Sequence, residues 1–437
     1  MAETALAVAP ADDRATVHVV GAGLAGLSAA LGLAQAGRRV VIHEAGRQAG
    51  GRCRSFHDPR LGCEIDNGNH LVLSGNRSVR AYLKRIGAED KLLPEPGADF
   101  DFVDLADGAR WRVSLNRGPL PWWVLSPKRR IPGTALADYL AGARLALAGA
   151  DTTVAEALPR RGALWSRFWE PLTLAAINTT PERASARLLW RVLAETFAKG
   201  ATHARPMLAP EGLGHALVAP ALACLAREGI EIRYARTLRT LERDGPRATA
   251  LCFNDGTETL GPGDGIVLAL PPWRLKAILP EIGAADTACS ILNAFFRLPE
   301  EALPALAETP KILGTLSSTT HWIFRRGDVV SLTVSASDAL GLDSADPEQL
   351  IPHLWDETKR ALGLPATLSY AAVRLNKERR ATFDQSPAGV RQRPKPTTSL
   401  ANLVLAGDAT DTGLPATIEG AIRSGETAAR LLCGQKT

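Results

Sequence analysis

The chain is predicted to be an α/β protein. A Rossmann-like dinucleotide-binding domain is interleaved with a second, α+β part of mixed sheet and helices. Three observations predict it. The glycine turn Gly21-Ala22-Gly23-Leu24-Ala25-Gly26 directly follows the apolar run Val17-His18-Val19-Val20. An acid, Glu44, ends a second apolar run that begins at Arg39. A second strand-to-helix junction, Leu405-Ala406-Gly407-Asp408 followed by Thr417 to Leu432, lies near the other end of the sequence.

The first turn has a physical reading. Gly21 makes the turn, Gly23 lets the backbone approach a pyrophosphate, and Gly26 lets helix and strand pack closely. With Leu24 and Ala25 they open a helix, Leu24 to Gly37, whose free N–H groups and positive dipole end suit phosphate. Glu44 falls about 20 residues on, where an acid accepts from ribose hydroxyls.

Next comes Ala45-Gly46-Arg47-Gln48-Ala49-Gly50-Gly51-Arg52. Gly50 and Gly51 let the backbone approach the cofactor, and Arg52 adds a charge-assisted phosphate contact. A Gly-Gly-Arg so soon after the ribose acid resembles the extended fingerprint of the amine oxidase and phytoene desaturase flavoproteins. That resemblance implies FAD.

The middle of the chain follows in order. After Gly62 to His70 a helix is expected from about Asn76 to Ile86, then two short strands around Ala106-Asp107-Gly108. Residues 133 to 200 read as helical, with a helix start at Thr180-Pro181-Glu182, where N-cap, proline and acid coincide. A helix over 212 to 229 ends at Gly229. Strands are expected at Glu231 to Tyr234, Thr237 to Arg243 (with Leu238 counted in the cofactor site), Ala248 to Phe253 and Gly265 to Leu270. Longer strands fill 288 to 335, a helix spans 347 to 362, and the basic, Pro-containing 377 to 398 reads as a loop. The expected partition is discontinuous: 15–75, 205–272 and 398–437 bind FAD, while 76–204 and 273–397 bind substrate. A helical, candidate membrane-facing part lies at about 115–200.

Size and composition narrow the class. The 437 residues suffice for two or three domains. Hydrophobic residues at 46% and charged residues at 22% fit a globular protein. A net charge of +5 permits an anionic surface as partner but gives no reason to expect nucleic acid. The six cysteines (53, 63, 224, 252, 289 and 433) show neither Cys-x-x-C nor metal spacing, so no metal is expected and reduced thiols in the cytoplasm are. Glu3, Asp12 and Asp13 speak against a targeting peptide, and the most apolar stretch, Thr134 to Ala150, holds Asp138 and Arg144.

The second junction completes the cofactor site. Asp408, at a strand end beside Gly407, is placed to accept from ribityl hydroxyls. The helix start from Thr417 and Ile418 to Gly420, after Pro415, aims N–H groups at the flavin's electron-rich edge. The segment Gly413 to Gly425 resembles the C-terminal flavin motif of carotenoid-desaturase-like proteins.

Three further segments narrow the resemblance to the hydroxysqualene dehydroxylases of hopanoid synthesis. They are Asp66-Asn67-Gly68-Asn69-His70 followed by Asn76-Arg77, Phe168 to Thr179, and Trp322-Ile323-Phe324-Arg325-Arg326-Gly327. One departure is Asn69, where that family has Gln. The family implies FAD and a long apolar isoprenoid substrate whose allylic hydroxyl leaves as water, with hydride from reduced flavin completing the reduction. It also implies Gly68, Asn69 and His70 at the flavin. His70 is the first candidate for the general acid, with Asp66 and Asn178 as the other catalytic candidates and Glu170 in reserve, unless it pairs with Arg167 on the helix surface. The alternatives are an oxidising relative (a carotenoid or phytoene-type desaturase, or a flavin amine oxidase) and a non-redox prenyl carrier. No second nucleotide fingerprint is present, so the electron donor is external or meets the flavin directly.

A substrate of this kind requires a membrane route. Ala109 to Ala137 carries six cations with Trp111, Trp122, Trp123, Val124 and Leu125, which fits an anionic bilayer surface. Pro119 to Pro132 is the expected docking segment, placing the protein in the cytoplasm at the inner face of the cell membrane.

Overall fold

The computed structural model describes residues 15–283 and 287–434; the acidic leader read from Glu3, Asp12 and Asp13 lies outside them. Its nucleotide-binding sheet is five-stranded and wholly parallel, in the order Glu231–Arg233, Arg39–His43, Thr16–Val20, Gly265–Leu268, Leu403–Leu405. Strands far apart in sequence therefore meet edge to edge.

Each face of this sheet has its own core. Val17, Val19, Val40, Ile42, Val267 and Val404 point to one side and pack on the opening helix, Leu24–Gln35, and the closing helix, Ile418–Leu432. Those helices cross at glycine. A Cβ on Gly425 would lie 2.2 Å from the Ala25 carbonyl oxygen, and Ser28 Oγ donates to the Ile422 carbonyl at 3.0 Å. Val20, Ile266, Leu268, Leu403 and Leu405 face the other side, under the antiparallel strands Leu238–Asp244, Arg247–Phe253 and Gly256–Thr259 and the helix Pro272–Ile278. The period-2 alternation of buried strands explains both cores.

The helix Arg77–Ile86 ends at Gly87 in the left-handed conformation, close to the expected bounds. It buries Val79, Tyr82, Leu83 and Ile86 in the nucleotide-binding core. The partition drawn at residue 76 is corrected there, because this helix packs with the first unit.

The second sheet has seven strands, ordered Ala372–Phe383, Ala288–Arg297, Val329–Ser335, Trp322–Arg326, Ile312–Leu316, Asp99–Asp104, Arg110–Ser114. One face packs on the helix Pro347–Leu362. The other lies beneath a helical cap drawn from about residues 123 to 197.

Three expectations are corrected here. Residues 377–398 are not a loop: Ala372–Phe383 is the edge strand, and Pro387–Arg391 a short helix. Its run of Lys, Glu and Arg is tolerated because an edge strand has one side without a partner strand. Thr180-Pro181-Glu182 forms a turn, and the helix begins at Ala186 after Ser185. Residues 133–200 are helical only in short pieces, one opening with a π-turn at Trp165–Trp169.

Candidate functional site

The glycine turn has the predicted geometry. Gly21 adopts φ +105°, and a Cβ there would lie 2.4 Å from the Ala269 carbonyl oxygen. A Cβ on Gly26 would lie 1.9 Å from the Gly21 oxygen. A Cβ on Gly23 would meet nothing within 4 Å. So Gly21 and Gly26 serve packing, while Gly23 borders open space at the N-terminus of Leu24–Gln35, a helix without a side-chain cap. The Gly50 N–H donates to the Ala22 carbonyl at 2.8 Å and brings Gly50-Gly51-Arg52 onto the same turn. Glu44 accepts from Ala22 N and Gly46 N, 2.7 Å each, one per carboxylate oxygen. Each oxygen retains a lone pair for a ribose hydroxyl. Ala45 is exposed beside it, and Leu238 is buried at the start of its strand.

Arg52 pairs with Asp408, joining the two flavin motifs, and Arg52 Nη1 donates to the Ala381 carbonyl at 2.5 Å. Burial works against the Arg52 charge, but Asp408 outweighs it and raises the pKa. Gly407 adopts φ +136°, and its N–H is held by Ser424 Oγ at 2.8 Å. Thr417 caps the closing helix by accepting from Gly420 N at 3.0 Å, so the expectation that Gly420 also presents its N–H to the flavin is corrected. Pro415 and Ile418 are buried beside it.

Sequence reasoning missed one residue of this site. Arg393 donates through Nη1 to the Leu414 carbonyl at 2.7 Å and through Nη2 to the Asp408 and Thr410 carbonyls at 3.0 and 2.5 Å. It stacks over Phe383 at 4.7 Å. Burial lowers its pKa, opposed by Asp411 and Asp408. This one guanidinium gathers the whole Asp408–Leu414 turn. Its basic, polar sequence context carried no signal of that.

The loop Asp66–His70 hangs between the two units. Asp66 Oδ1 accepts from Ser55 Oγ at 2.5 Å and Leu213 N at 2.9 Å; Oδ2 accepts from Arg326 Nη1 at 2.8 Å. Asn67 O accepts from Asn376 Nδ2 at 2.6 Å, and Asn67 Nδ2 reaches Glu378 at 3.3 Å. Asn69 donates to Thr333 Oγ1 at 3.1 Å and accepts from Ser331 Oγ at 2.8 Å. A Cβ on Gly68 would lie 3.1 Å from Asn293 Nδ2. Four adjacent strands of the seven-stranded sheet thus hold one five-residue loop.

His70 closes that loop. Its Nδ1 lies 3.0 Å from the Gly68 carbonyl, so this nitrogen carries the proton that the carbonyl accepts and Nε2 faces outward. The side chain presents surface to open space, yet the protein around that space desolvates it. Burial lowers its pKa, opposed by the Gly68 hydrogen bond.

The other catalytic candidates are placed differently. Both Asp66 oxygens serve the strap just described. Asn178 is buried, with φ 50° at the end of the helix Glu170–Ile177. Its Oδ1 accepts from Ala336 N at 2.7 Å and its Nδ2 donates to Thr382 Oγ1 at 3.1 Å. The structure does not bring it to His70 through any hydrogen bond. Glu170 is half-buried, and the pairing expected with Arg167 is absent, because Arg167 binds Asp107 and Asp104. Burial raises the Glu170 pKa, with Glu182 nearby adding to it.

In the expected docking segment, Trp122 is 61% exposed but Trp123 is 6% exposed in the core beneath the cap. The large apolar side chains exposed nearby are Leu120, Trp122, Leu125, Leu136, Leu140 and Leu147, with the cations Arg117, Lys128 and Arg144 exposed among them. Among the described residues no helix is long and apolar enough to cross a membrane.

The fit to a dinucleotide rests on the empty approach at Gly23, the uncapped helix and the lone pairs left on Glu44. Comparison with known proteins agrees. The family model "flavin containing amine oxidoreductase" matches residues 24–433. The chain is 42% identical over 419 residues to a hydroxysqualene dehydroxylase of Rhodopseudomonas palustris, covering 95% of this chain and 98% of that one. It is 40% identical to a hydroxysqualene dehydroxylase of Zymomonas mobilis, with the same coverage. Among solved structures, a cyclohexylamine oxidase from Brevibacterium oxydans superposes with a TM-score of 0.71 at 16% identity, covering 97% of this chain and 99% of that one. A putative protoporphyrinogen oxidase from Exiguobacterium gives 0.67 at 16%, covering 97% and 99%.

Proposed function

The chain belongs to the hydroxysqualene dehydroxylase family, within the flavin containing amine oxidoreductases, and from that premise we propose that it reductively removes the hydroxyl of hydroxysqualene to give squalene. FAD is its cofactor, and reduced FAD supplies the hydride. The full-length likeness at 40–42% identity is to hydroxysqualene dehydroxylases, whereas the amine oxidase structures share the fold at 14–16%. The desaturase, amine oxidase and prenyl-carrier readings therefore rank below it.

The observation that carries the chemistry is the placement of His70. Its Nδ1 is committed to the Gly68 carbonyl, so a proton for the leaving hydroxyl resides on Nε2. That proton is present only in the imidazolium. Because burial lowers the pKa, the acid form gains population as pH falls below the ordinary histidine value near 6.5. The hydroxyl leaves as water and an allylic cation remains, which must be kept from water until hydride reaches it. The direct test is anaerobic incubation of dithionite-reduced holoenzyme with hydroxysqualene. Squalene formed as the flavin reoxidises supports the reading; unchanged hydroxysqualene rejects it.

The membrane is the source of such a substrate. The exposed surface of Leu120, Trp122, Leu125, Leu136, Leu140 and Leu147, with Arg117, Lys128 and Arg144, is the docking face for an anionic bilayer at the cytoplasmic side of the cell membrane. Flotation with anionic liposomes should fail for a Trp122→Ser/Leu140→Ser variant; equal flotation would remove this face from the account.

A further inference from the structure

The narrow family segment Trp322–Gly327 has a part in the strap through Arg326, but its two aromatic residues do not. Their place is fixed by register. Trp322 stands directly opposite Thr333, and Phe324 directly opposite Ser331. Directly opposed residues share a sheet face, with Cβ atoms about 5 Å apart. Thr333 and Ser331 are the two residues that hold the Asn69 side chain. Trp322 and Phe324 therefore line the sheet one strand away from the residue preceding His70. Ile323, between them, is buried in the core on the opposite face.

Neither ring lies inside a core, although Trp322 packs against the margin of the one beneath the helical cap. Both are half-buried on a strand with neighbours on either side, and Phe324 joins none of the hydrophobic cores. Trp322 is oriented by its neighbours. Phe102 meets it edge-on, with ring centroids 5.6 Å apart at 62°. Gly314, opposite both Trp322 and Phe102, is what admits that contact: a Cβ there would lie 2.5 Å from the Phe102 ring. The same row continues through Phe102 to Trp111, stacked at 5.6 Å, beneath the helical cap. One line across the sheet thus runs from polar (Asn376, Asn293, Thr333) to aromatic (Trp322, Phe102, Trp111).

We infer that Trp322, with Phe324 beside it, is the aromatic wall that faces the carbon losing its hydroxyl and stabilises the positive charge developing there. This rests on the dehydroxylase reading. Protonation by His70 breaks the C–O bond, the electron pair leaves with water, and the allylic carbon is cationic until hydride from reduced flavin reaches it. A cation over an indole face gains up to about 2 kcal/mol when desolvated, which is about 30-fold in rate. Because that gain is absent from the neutral alcohol, it lowers the barrier rather than KM.

The test separates charge from shape. A polyprenyl dimethylamine, protonated at neutral pH, imitates the cation; the polyprenyl chain ending in an isopropyl group imitates its shape alone. Binding of both to oxidised holoenzyme is followed by quenching of flavin fluorescence, so no turnover is needed. The wild type should prefer the ammonium by at least tenfold, Trp322→Leu should lose that preference, and Trp322→Phe should keep part of it. Phe324→Leu should reduce it less. Ile323→Val, on the opposite face, controls for packing, and FAD content checks folding in every variant. In single turnovers at saturating hydroxysqualene, Trp322→Leu should be slower by about 30-fold. An ammonium preference intact in Trp322→Leu, or wild-type speed in that variant, overturns the inference alone. No squalene from the wild type overturns the functional reading itself.

Discussion

Arg326, at the end of a strand of the seven-stranded sheet, holds Asp66 of the nucleotide-binding unit: Nη1 donates to Oδ2 at 2.8 Å, and Nη2 to the Glu64 carbonyl at 3.1 Å. Gly212, with φ +99°, sits against both, since a Cβ there would lie 2.8 Å from Arg326 Nη1 and 3.0 Å from Asp66 Oδ1. The pair ties the two units together beside the loop that carries His70. Arg326→Ala leaves Asp66 without its cation and should cost about 1–3 kcal/mol of stability, less than a fully buried pair. Turnover should fall at least tenfold from the misplaced loop, with flavin content kept. Steady-state rates read beside flavin-to-protein ratios check this.

The glycine turn separates folding from cofactor binding. Gly26→Ala drives a methyl into the Gly21 carbonyl and should abolish the fold. Gly23→Ala meets no protein atom, so the apoprotein should lose only about 0.5–1 kcal/mol, the cost of a weaker N-cap. Its flavin affinity should nevertheless drop by orders of magnitude. Thermal midpoints of apoprotein and flavin titration distinguish the two variants.

Three buried histidines make stability depend on pH. His18 and His43 stack beneath Phe253, with His18 Nδ1 3.1 Å from His43 Nε2 and Arg236 Nη1 donating to His43 Nδ1 at 3.3 Å. Burial lowers both pKa values, that of His43 to about 3, with His18 and Arg236 adding to the effect. Burial also lowers His321 to about 4. Below the unfolded value of 6.5, the unfolded chain takes up protons that the folded chain refuses. Their contribution is therefore complete above pH 6.5 and declines as pH falls, for His321 down to about 4 and for His43 down to about 3, at about 1.4 kcal/mol per pH unit per histidine. Thermal midpoints measured from pH 7 to 4.5 should fall less steeply in His43→Gln.

Asn178 is a structural fastener in this account. Asn178→Ala strands the Ala336 N–H and removes the donor to Thr382, which should cost about 2–4 kcal/mol. The fraction that remains folded should turn over at the wild-type rate per bound flavin. A large loss of rate per flavin would return Asn178 to the chemistry.

Much of the nucleotide-binding fold was legible because its signals are local. A glycine turn between strand and helix, an acid at a strand end and a capped closing helix each reside within a few residues. The loop Asp66–His70 was legible only as a motif. Beyond Ser55 and Leu213, what fixes it comes from Asn293, Arg326, Ser331, Thr333 and Asn376, more than 220 residues away, and no local pattern pairs them. Residues 377–398 resemble a loop in sequence because the edge strand Ala372–Phe383, which they partly cover, needs no continuous apolar face. Trp122 and Trp123 are neighbours with opposite fates, one exposed and one in the core, and composition alone treats them alike. Arg393 shows the same limit, since its role depends on five carbonyl or hydroxyl oxygens gathered by the fold.

The central claim is that this flavoprotein delivers hydride to the carbon that loses its hydroxyl. The most direct measurement uses dithionite-reduced enzyme in deuterium oxide, where the transferable hydrogen of reduced flavin exchanges with solvent, mixed anaerobically with unlabelled hydroxysqualene. The account predicts one squalene, carrying one deuterium at the former carbinol carbon, for each flavin reoxidised. Squalene without deuterium, or flavin that stays reduced while hydroxysqualene is unchanged, would contradict it.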